Sequence, residues 1–404
     1  MMERSACSDL FVFYEVEVMI KVLKNAQVYS PEPLGKKDVL IISDKIARIA
    51  DEINEYDGLP EVETFDFAGK LLLPGYIDMH VHVTGGGGED GPASRVPESQ
   101  LSMFLKNGIT TVLGLLGTDG VTKSIENLIA KARALNEEGI TAYALTGSYG
   151  YPTNTMTGSI EKDIYMLTPM IGVKIAASDH RSSNPQAEDL IAVGTAARRG
   201  GMISGTAGLV TIHMGSGKGG LKPLMKAMED SDIPFKNFLP THILRDDALI
   251  NDAAEYVRRG GYIDCTAGCD AESIEENADK LYELLQRDGV ELSHVTMSSD
   301  SYGSMPRFDE AGNCIGLTYA TPDSLHLTIK GLVKRGMALE KAIQLLTSNS
   351  AFLLGKEGVK GCIKPGADAD ILILDEALEI NSLFAKGKTA LLNGDLKMRG
   401  RFEI

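Results

Sequence analysis

The middle of this chain alternates short apolar runs with spacers long enough to form helices, and this alternation constrains the fold more than any other feature. The apolar runs are GYIDMHVHV, GITTVLGLLG, ITAYALTGSY, MIGVKIAAS, LVTIHMG, FLPTHIL, GYIDCTA and SHVTMSSD. Eight strands separated by helices are what a (β/α)8 barrel requires. Active sites of such barrels lie at the carboxyl ends of the strands, and polar residues do end these runs.

The two ends of the chain show a different pattern. KVLKNAQVYSPEP, DVLIISDKIARIAD and VETFDFAGKLLLPG alternate apolar runs with turn residues, and GADADILILDEALEINSLFAKGKTALLNG repeats this near the other end. Such patterns are typical of short antiparallel strands. We therefore predict an α/β fold with a TIM-like (β/α)8 barrel at 74–355 and a small β-sandwich domain formed by 1–73 and 356–404. Residues 1–18 receive no function.

Charge and composition exclude several classes of protein. The formal net charge is -16, and no basic stripe is present that could bind a phosphate backbone, so we expect no nucleic-acid partner. The N-terminal stretch resembles neither a secretory signal nor a membrane span, and we expect no membrane association. Five scattered cysteines support neither a disulfide framework nor a zinc finger. These features together predict a cytoplasmic protein.

His80 and His82 lie two residues apart near the end of the first barrel strand. Side chains of a strand alternate between its faces, so both imidazoles point inward and one metal ion could use both. The alternative is that they are ordinary polar residues at a strand end. The pair alone leaves both interpretations open.

Lys174 interrupts the apolar fourth strand, MIGVKIAA. Desolvation and nearby cations would push an inward lysine toward its neutral, nucleophilic form, which can take up carbon dioxide. The resulting carbamate has two oxygens and could bridge two metal ions. The alternative is a lysine whose ammonium reaches solvent at the strand end.

Three further candidate ligands end other strands. His213 ends strand five, His242 ends strand six and Asp300 ends strand eight. Four imidazoles, one potential carbamate and one carboxylate suit two borderline metals about 3.5–4 Å apart, with a bridging hydroxide as nucleophile. Each residue could separately be a structural polar group, but six of them at strand ends favour a binuclear metal site.

The motif PGYIDMHVH, together with Lys174, His213, His242 and Asp300, resembles the binuclear branch of the amidohydrolase superfamily. TSNSAFLLG followed by GADADILIL resembles the return of that superfamily to its small domain, so the likeness spans nearly the whole chain. GGGGED, GSYGYP, VKIAASDHRSS, THILRDD and SSDSYGS most resemble the isoaspartyl dipeptidase (β-aspartyl peptidase) family. These motifs are more specific than the ligand set, which dihydroorotases and hydantoinases share.

The resemblance implies a metal-dependent dipeptidase that hydrolyses the β-aspartyl amide bond of isoAsp-Xaa dipeptides. It implies two divalent ions, zinc being the first choice, and a homo-oligomer, commonly an octamer. The implied metal ligands are His80, His82, CO2-carboxylated Lys174, His213, His242 and Asp300. Asp300 would also transfer protons, and Tyr149 would bind substrate and steady the developing oxyanion.

The chemistry of the substrate offers an independent check. An isoaspartyl dipeptide carries one α-amine and two α-carboxylates, so its site should offer one anion and two cations. The guanidinium groups of Arg181 and Arg245 suit the carboxylates, and Glu89 suits the amine. The resemblance adds substrate contacts at Gly87, Gly88, Thr118 and Ser304. The alternatives are surface ion pairs for the arginines and a glycine loop without contacts.

Three rival functions stay open at this point. A cyclic amidase of the dihydroorotase or hydantoinase kind acts on rings with one carboxylate or none, which leaves two arginines harder to explain. A mononuclear deaminase needs no lysine in strand four. A non-catalytic scaffold on the same fold would typically lack ligands, and none is missing here.

Overall fold

The computed structural model describes residues 19–308 and 314–403, so the segment 1–18 lies outside the described residues. The strands are β1 (Ile20–Tyr29), β2 (Pro33–Ile42), β3 (Lys45–Ala50), β4 (Val62–Asp66), β5 (Leu71–Pro74), β6 (Tyr76–Val81), β7 (Ile109–Gly114), β8 (Thr141–Gly147), β9 (Met170–Ala177), β10 (Leu209–Met214), β11 (Phe238–Thr241), β12 (Ile263–Thr266), β13 (Val295–Ser298), β14 (Ser304–Phe308), β15 (Cys314–Tyr319), β16 (Ile371–Leu374), β17 (Ile380–Ala385), β18 (Lys388–Leu392) and β19 (Asp395–Leu396). The α-helices are α1 (Leu101–Lys106), α2 (Ile125–Glu138), α3 (Ile160–Met166), α4 (Ala187–Ser204), α5 (Lys222–Glu229), α6 (Asp247–Arg258), α7 (Ala271–Leu285), α8 (Asp323–Lys334), α9 (Leu339–Ala342) and α10 (Ser348–Leu353).

The eight predicted barrel strands are present in order as β6 to β13. Six of them form one parallel sheet, β6-β7-β8-β9-β10-β11, and β12 pairs in parallel with β13. The prediction of a TIM-like (β/α)8 barrel is confirmed.

Two buried carboxylates join β12 and β13 to the larger sheet. Asp264 on β12 accepts hydrogen bonds from Thr241 Oγ1 of β11 at 2.6 Å and from Thr296 Oγ1 of β13 at 2.8 Å. Asp78 on β6 accepts one from the backbone N–H of Ser299, just after β13, at 3.1 Å. Polar side chains therefore connect β11 to β12 and β13 to β6, the two places where neighbouring barrel strands are not paired through their backbones.

Period-two alternation sends one face of each barrel strand outward. On β10, Val210 and Ile212 belong to the same buried apolar core as Leu190 and Val193 of α4. Because adjacent residues of a strand point to opposite faces, His213 is then directed into the barrel.

The two ends of the chain meet in one nine-stranded sheet, with the order β19-β18-β17-β16-β5-β1-β2-β3 and β4 paired with β1. β5 pairs antiparallel with β16, where Leu72 lies opposite Ile373. The sheet folds back on itself, since the rings of Phe65 and Phe384 contact edge to face with centroids 5.4 Å apart. The β domain built from both ends is confirmed, whereas its limits at residues 73 and 356 stay a prediction.

β14 and β15 form an antiparallel hairpin that follows the last barrel strand. The sequence patterns did not predict it. Among the described residues, no helix is both long enough and apolar enough to cross a membrane.

Candidate active site

A cavity of about 860 Å³ opens at the carboxyl ends of the barrel strands. Ten of the residues that the sequence predicted for the site line it: His82, Gly87, Glu89, Thr118, Tyr149, Arg181, His213, Arg245, Asp300 and Ser304. His80, Lys174 and His242 are buried next to these residues. Gly88 is not among the lining residues, and its backbone N–H donates to Ser94 Oγ at 3.2 Å.

The first strand, the fourth strand and the segment after the eighth strand bring four predicted ligands together. Asp300 Oδ1 lies 3.0 Å from His82 Nε2 and 3.4 Å from His80 Nε2. Lys174 Nζ lies 3.1 Å from His80 Nε2. Lys174 and Asp300 follow His80 by 94 and 220 positions in the sequence, yet both side chains contact its ring. They meet because the strands of a barrel end at a common level.

His242 and His213 complete the cluster. Their ring centroids are 4.6 Å apart, and the His242 centroid is 4.8 Å from that of His80. His80, His242 and Asp300 each offer a ligand atom, and these three atoms lie within 4.8 Å of one another. The structure therefore brings together all six residues that the sequence predicted as metal ligands.

The backbone is strained at two of these positions. His242 has φ 65° and Asp300 has φ 54°, in the left-handed region that residues other than glycine rarely adopt. At His242 this conformation turns the chain from β11 into a short 3-10 helix that ends at Arg245. Local strain of this kind concentrates at functional sites, where the surrounding structure enforces it.

Burial decides the charge of the cluster. It lowers the pKa of His80, His213 and His242 well below the ordinary value, so their imidazoles are neutral. Burial also lowers the pKa of Lys174 to about 7. Neutral imidazoles can donate lone pairs, and a lysine with this pKa is substantially unprotonated near neutral pH.

Unpaired nitrogens show that the cluster suits a metal. His242 Nε2 is buried without a hydrogen-bond partner among the described residues, while its Nδ1 lies 2.6 Å from Thr266 Oγ1. Buried polar atoms normally have partners, because an unsatisfied one costs about 1–3 kcal/mol. A lone pair held in this way beside three more imidazoles and a carboxylate fits a divalent ion such as zinc.

Tyr149 lies at the edge of the cluster. Its hydroxyl is 2.7 Å from His213 Nδ1, and its ring lies 5.2 Å from the guanidinium carbon of Arg181. Burial raises the pKa of Tyr149, so the hydroxyl keeps its proton and remains a donor. Tyr149 can therefore donate a hydrogen bond to an oxygen that enters the cavity.

The guanidinium of Arg181 is already paired in part within the protein. Its Nε and Nη2 donate to the two oxygens of Asp179, both at 2.9 Å. The remaining Nη1 lies 3.4 Å from Glu89 Oε1 and 3.5 Å from Thr118 Oγ1. Only one edge of this guanidinium faces the substrate side, since Asp179 occupies the other.

Arg245 is the contrasting case. It lines the cavity and is exposed, and within the described part of the chain its side chain has no hydrogen bond or ion pair. A guanidinium in that state is ready to bind an anion from solution. Opposite charge is supplied by Glu89, whose Oε2 accepts a hydrogen bond from Ser304 Oγ at 2.8 Å.

The glycine loop, residues 85–88, can follow its path only because these residues have no side chains. A Cβ on Gly85 would lie 2.0 Å from Val96 O, and one on Gly87 would lie 2.2 Å from Ser94 O. Both glycines also have positive φ, 75° and 83°. The loop can therefore pack closely on residues 94–96 and present backbone at the cavity.

Sequence reasoning missed two features of the cavity. Asp179 received no role, although it lies only two residues before Arg181 in the motif VKIAASDHRSS. Met305, Ile315 and Leu317 of the β14–β15 hairpin add an apolar wall. The sequence analysis named Ser304, at the start of β14, but no signal in it marked these apolar side chains as part of the site.

Comparisons with known proteins agree with this geometry. The model of the amidohydrolase family matches residues 71–390. A β-aspartyl dipeptidase from Fervidobacterium islandicum AW-1, whose structure holds a β-Asp-Leu dipeptide, is 42% identical, with 95% of this chain and 100% of that chain covered and a TM-score of 0.86. A dihydropyrimidinase from Brevibacillus agri NCHU1002 is 15% identical, with 95% and 97% covered and a TM-score of 0.64, which shows the shared fold alone.

Dihydroorotases are more distant. The one from Listeria monocytogenes serotype 4a (strain HCC23) is 38% identical over 134 residues, 32% of this chain. The match spans only 30% of the length of that dihydroorotase.

Proposed function

Because this chain belongs to the amidohydrolase family and, within it, to the β-aspartyl dipeptidases, we propose that it hydrolyses the β-aspartyl amide bond of isoAsp-Xaa dipeptides. One observation carries the proposal. The cavity joins the buried ligand cluster to one carboxylate, Glu89, and to two guanidinium groups, Arg181 and Arg245. That set complements the one amine and two carboxylates of an isoaspartyl dipeptide.

We propose that the six clustered residues hold two zinc ions. Such ions supply Lewis acidity toward the amide carbonyl and lower the pKa of a water molecule to about 7. Lys174 would serve as a carbamate, because its amine, with a pKa of about 7, can attack CO2 and release one proton. The negative charge so formed would lie among neutral imidazoles, where it would offset part of the charge of two dications.

Asp300 is the proton carrier in this proposal. Its carboxylate reaches both His80 and His82 and also lines the cavity, so it touches the ligand cluster and the substrate side at once. It would take a proton from the attacking water and deliver it to the leaving amine. Tyr149 would donate its O–H to the oxyanion that develops at the amide carbonyl.

Substrate orientation follows from the charges. Glu89 would bind the α-amine of the isoaspartyl residue, with Ser304 holding the carboxylate in place. Arg245 and the Nη1 edge of Arg181 would each bind one carboxylate. Backbone at Gly87 and the hydroxyl of Thr118 would add polar contacts, whereas the backbone groups of Gly88 bond to Ser94 and Gly91 within the loop.

We also propose that the protein is a homo-oligomer in the cytoplasm. Its five cysteines are odd in number and scattered, which suits a reducing compartment. Tyr165 and Met166 of α3, and Met202 and Ile203 of α4, are each more than half exposed, and such apolar side chains are common at interfaces. Light scattering of the purified protein would measure the number of subunits.

One experiment tests the proposed function. Hydrolysis of isoAsp-Leu, Asp-Leu and dihydroorotate is measured on the same preparation, together with zinc per chain. We expect two zinc ions per chain and cleavage of isoAsp-Leu alone. Turnover of dihydroorotate with isoAsp-Leu untouched would replace the proposal with a cyclic amidase, and protein that binds no metal would point to a non-catalytic scaffold.

A further inference from the structure

Asp179 is a buried carboxylate to which neither the sequence nor the reaction assigns a task. It lies in the loop after β9, and only 6% of its surface is exposed. Arg181 donates a hydrogen bond to each of its two oxygens, which is the geometry of a guanidinium–carboxylate ion pair, and one oxygen also lies 3.0 Å from His213 Nε2. The carboxylate is therefore shared between a predicted metal ligand and a predicted substrate-binding residue.

The contact with His213 fixes the imidazole tautomer. Asp179 Oδ2 lies 3.0 Å from His213 Nε2, and an ionised carboxylate can only accept, so Nε2 carries the proton. The lone pair of the ring is then on Nδ1, which accepts a hydrogen bond from Tyr149 Oη at 2.7 Å. A metal ion on Nδ1 would replace that hydrogen bond and leave the Tyr149 hydroxyl to donate to the substrate. A carboxylate that holds one nitrogen of a histidine makes the other a better metal ligand.

The contact with Arg181 is equally specific. Two parallel hydrogen bonds of 2.9 Å hold the guanidinium on the same carboxylate. Arg181 Nη2 and His213 Nε2 lie 3.4 Å apart because both donate to Asp179 Oδ2. Moving Arg181 would therefore disturb the acceptor of His213.

The loop after β10 lies in close contact with Asp179. A Cβ on Gly215, two residues after His213, would lie 2.6 Å from both Cα and Cβ of Asp179. Only glycine lets the loop after β10 approach the carboxylate so closely. The close contact of the two loops thus keeps Asp179 beside the ring that it orients.

From this geometry we propose that Asp179 is a positioning residue that couples the predicted metal ligand His213 to substrate binding at Arg181. It orients His213 toward the metal through Nδ1 and holds Arg181 with one edge toward the substrate. The proposal rests on the metal site put forward above. It does not depend on which dipeptide is the substrate, because its main measurement is made without substrate.

The test is zinc affinity, measured on purified Asp179→Asn by competition with a chelator. Carboxylates that orient metal-bound histidines typically change affinity by about 10–100-fold, and we expect a loss in that range. We also expect kcat/KM to fall, with part of the loss in KM, because Arg181 is released. Asp38→Asn is the matched control, a buried carboxylate of the β domain that accepts backbone hydrogen bonds from Asn25 and Ile53.

A second variant tests the proposal even if Asp179→Asn does not fold. Arg181→Met removes no predicted metal ligand, yet we expect it to weaken zinc binding several-fold, because it leaves Asp179 without one of its anchors. The double variant should lose less zinc affinity than the two single losses combined. Unchanged zinc affinity in Arg181→Met would overturn the proposal. The same holds if Asp179→Asn loses thermal stability, as Asp38→Asn does, but keeps its zinc affinity.

Discussion

At the scale of single residues, the two arginines of the cavity have unequal surroundings. Arg181 is held by Asp179, whereas Arg245 is exposed and without a hydrogen bond or ion pair in the described part of the chain. Arg245 can thus give its full charge to a substrate carboxylate, while Arg181 already balances an anion of the protein. The two residues should respond differently to substitution.

Arg245→Met should lower kcat/KM for isoAsp-Leu by about 10–100-fold. Hydrogen bonds to charged groups contribute about 1.5–3 kcal/mol, which corresponds to a loss of that order. Thermal unfolding should hardly change, because the side chain supports no contact of the fold. Steady-state kinetics and a melting curve check this, and unchanged kinetics would remove Arg245 from the site.

Lys174→Ala should abolish zinc binding at one or both positions and lower kcat by at least about 100-fold. The residue is fully buried against His80, so the substitution removes the group proposed to bridge the two metal ions. Short carboxylic acids such as acetate or propionate should restore part of the activity by occupying the same space. Full activity in the variant would contradict the carbamate, and Lys226→Ala on the exposed face of α5 serves as the control.

At the scale of elements, the loop between β8 and α3 carries Tyr149 and is organised by one buried carboxylate. Asp163 accepts hydrogen bonds from the backbone N–H groups of Met156 at 2.9 Å and Thr157 at 2.8 Å. It also accepts from the hydroxyls of Thr157 and Thr146. The conformation of the loop therefore depends on the first turn of α3.

Asp163→Asn should reduce stability by about 1–3 kcal/mol, because an amide cannot accept all of these hydrogen bonds. We expect kcat to fall more than KM rises, since Tyr149 acts on the developing oxyanion rather than on the bound substrate. Ser159→Ala is the control: it removes the helix cap to Lys162 N–H and should cost about 1 kcal/mol while kcat stays unchanged. If Asp163→Asn and Ser159→Ala changed kcat equally, the position of Tyr149 would not depend on the hydrogen bonds of Asp163.

At the scale of the whole molecule, a buried histidine connects the barrel to the β domain. His326 of α8 donates from Nε2 to Leu378 O at 2.7 Å, between β16 and β17. Its Nδ1 then accepts from Tyr76 Oη of β6 at 3.1 Å. Both roles require a neutral imidazole, and burial lowers the pKa of His326 accordingly.

The lowered pKa of His326 determines how the stability of the protein changes with pH. The unfolded chain binds a proton at His326 near the ordinary pKa of about 6.5, whereas the folded protein binds it only at lower pH. The contribution of His326 to stability is therefore complete above about pH 6.5 and is lost as the pH falls toward the lowered pKa of the folded state. Below pH 6.5 the melting temperature should drop.

His326→Gln should make this drop shallower, because glutamine can still donate and accept but does not titrate. Melting curves between pH 5 and 8, recorded at constant zinc, measure the difference between the variant and the unaltered protein. His180→Gln is the control, since the side chain of His180 is 87% exposed. An unchanged slope in His326→Gln would mean that the contact between the two domains is not sensitive to pH.

The barrel, the β domain from both chain ends and the identity of the clustered residues could all be predicted from the sequence alone. The reason is that period-two strands fix which side chains point inward, and the barrel brings all strand ends to one level. His80, His82, Lys174, His213, His242 and Asp300 could therefore be named before any distance was known.

How the charges around that cluster are paired became visible only in three dimensions. The sequence could not show that Asp179 holds Arg181 and His213 while Arg245 has no such partner, because these contacts join loops from different strands. It also could not place the apolar side chains of the β14–β15 hairpin at the cavity, or decide between a buried Lys174 and one whose ammonium reaches solvent. Pairing and desolvation depend on distances in three dimensions, and neither is encoded in local patterns of residues.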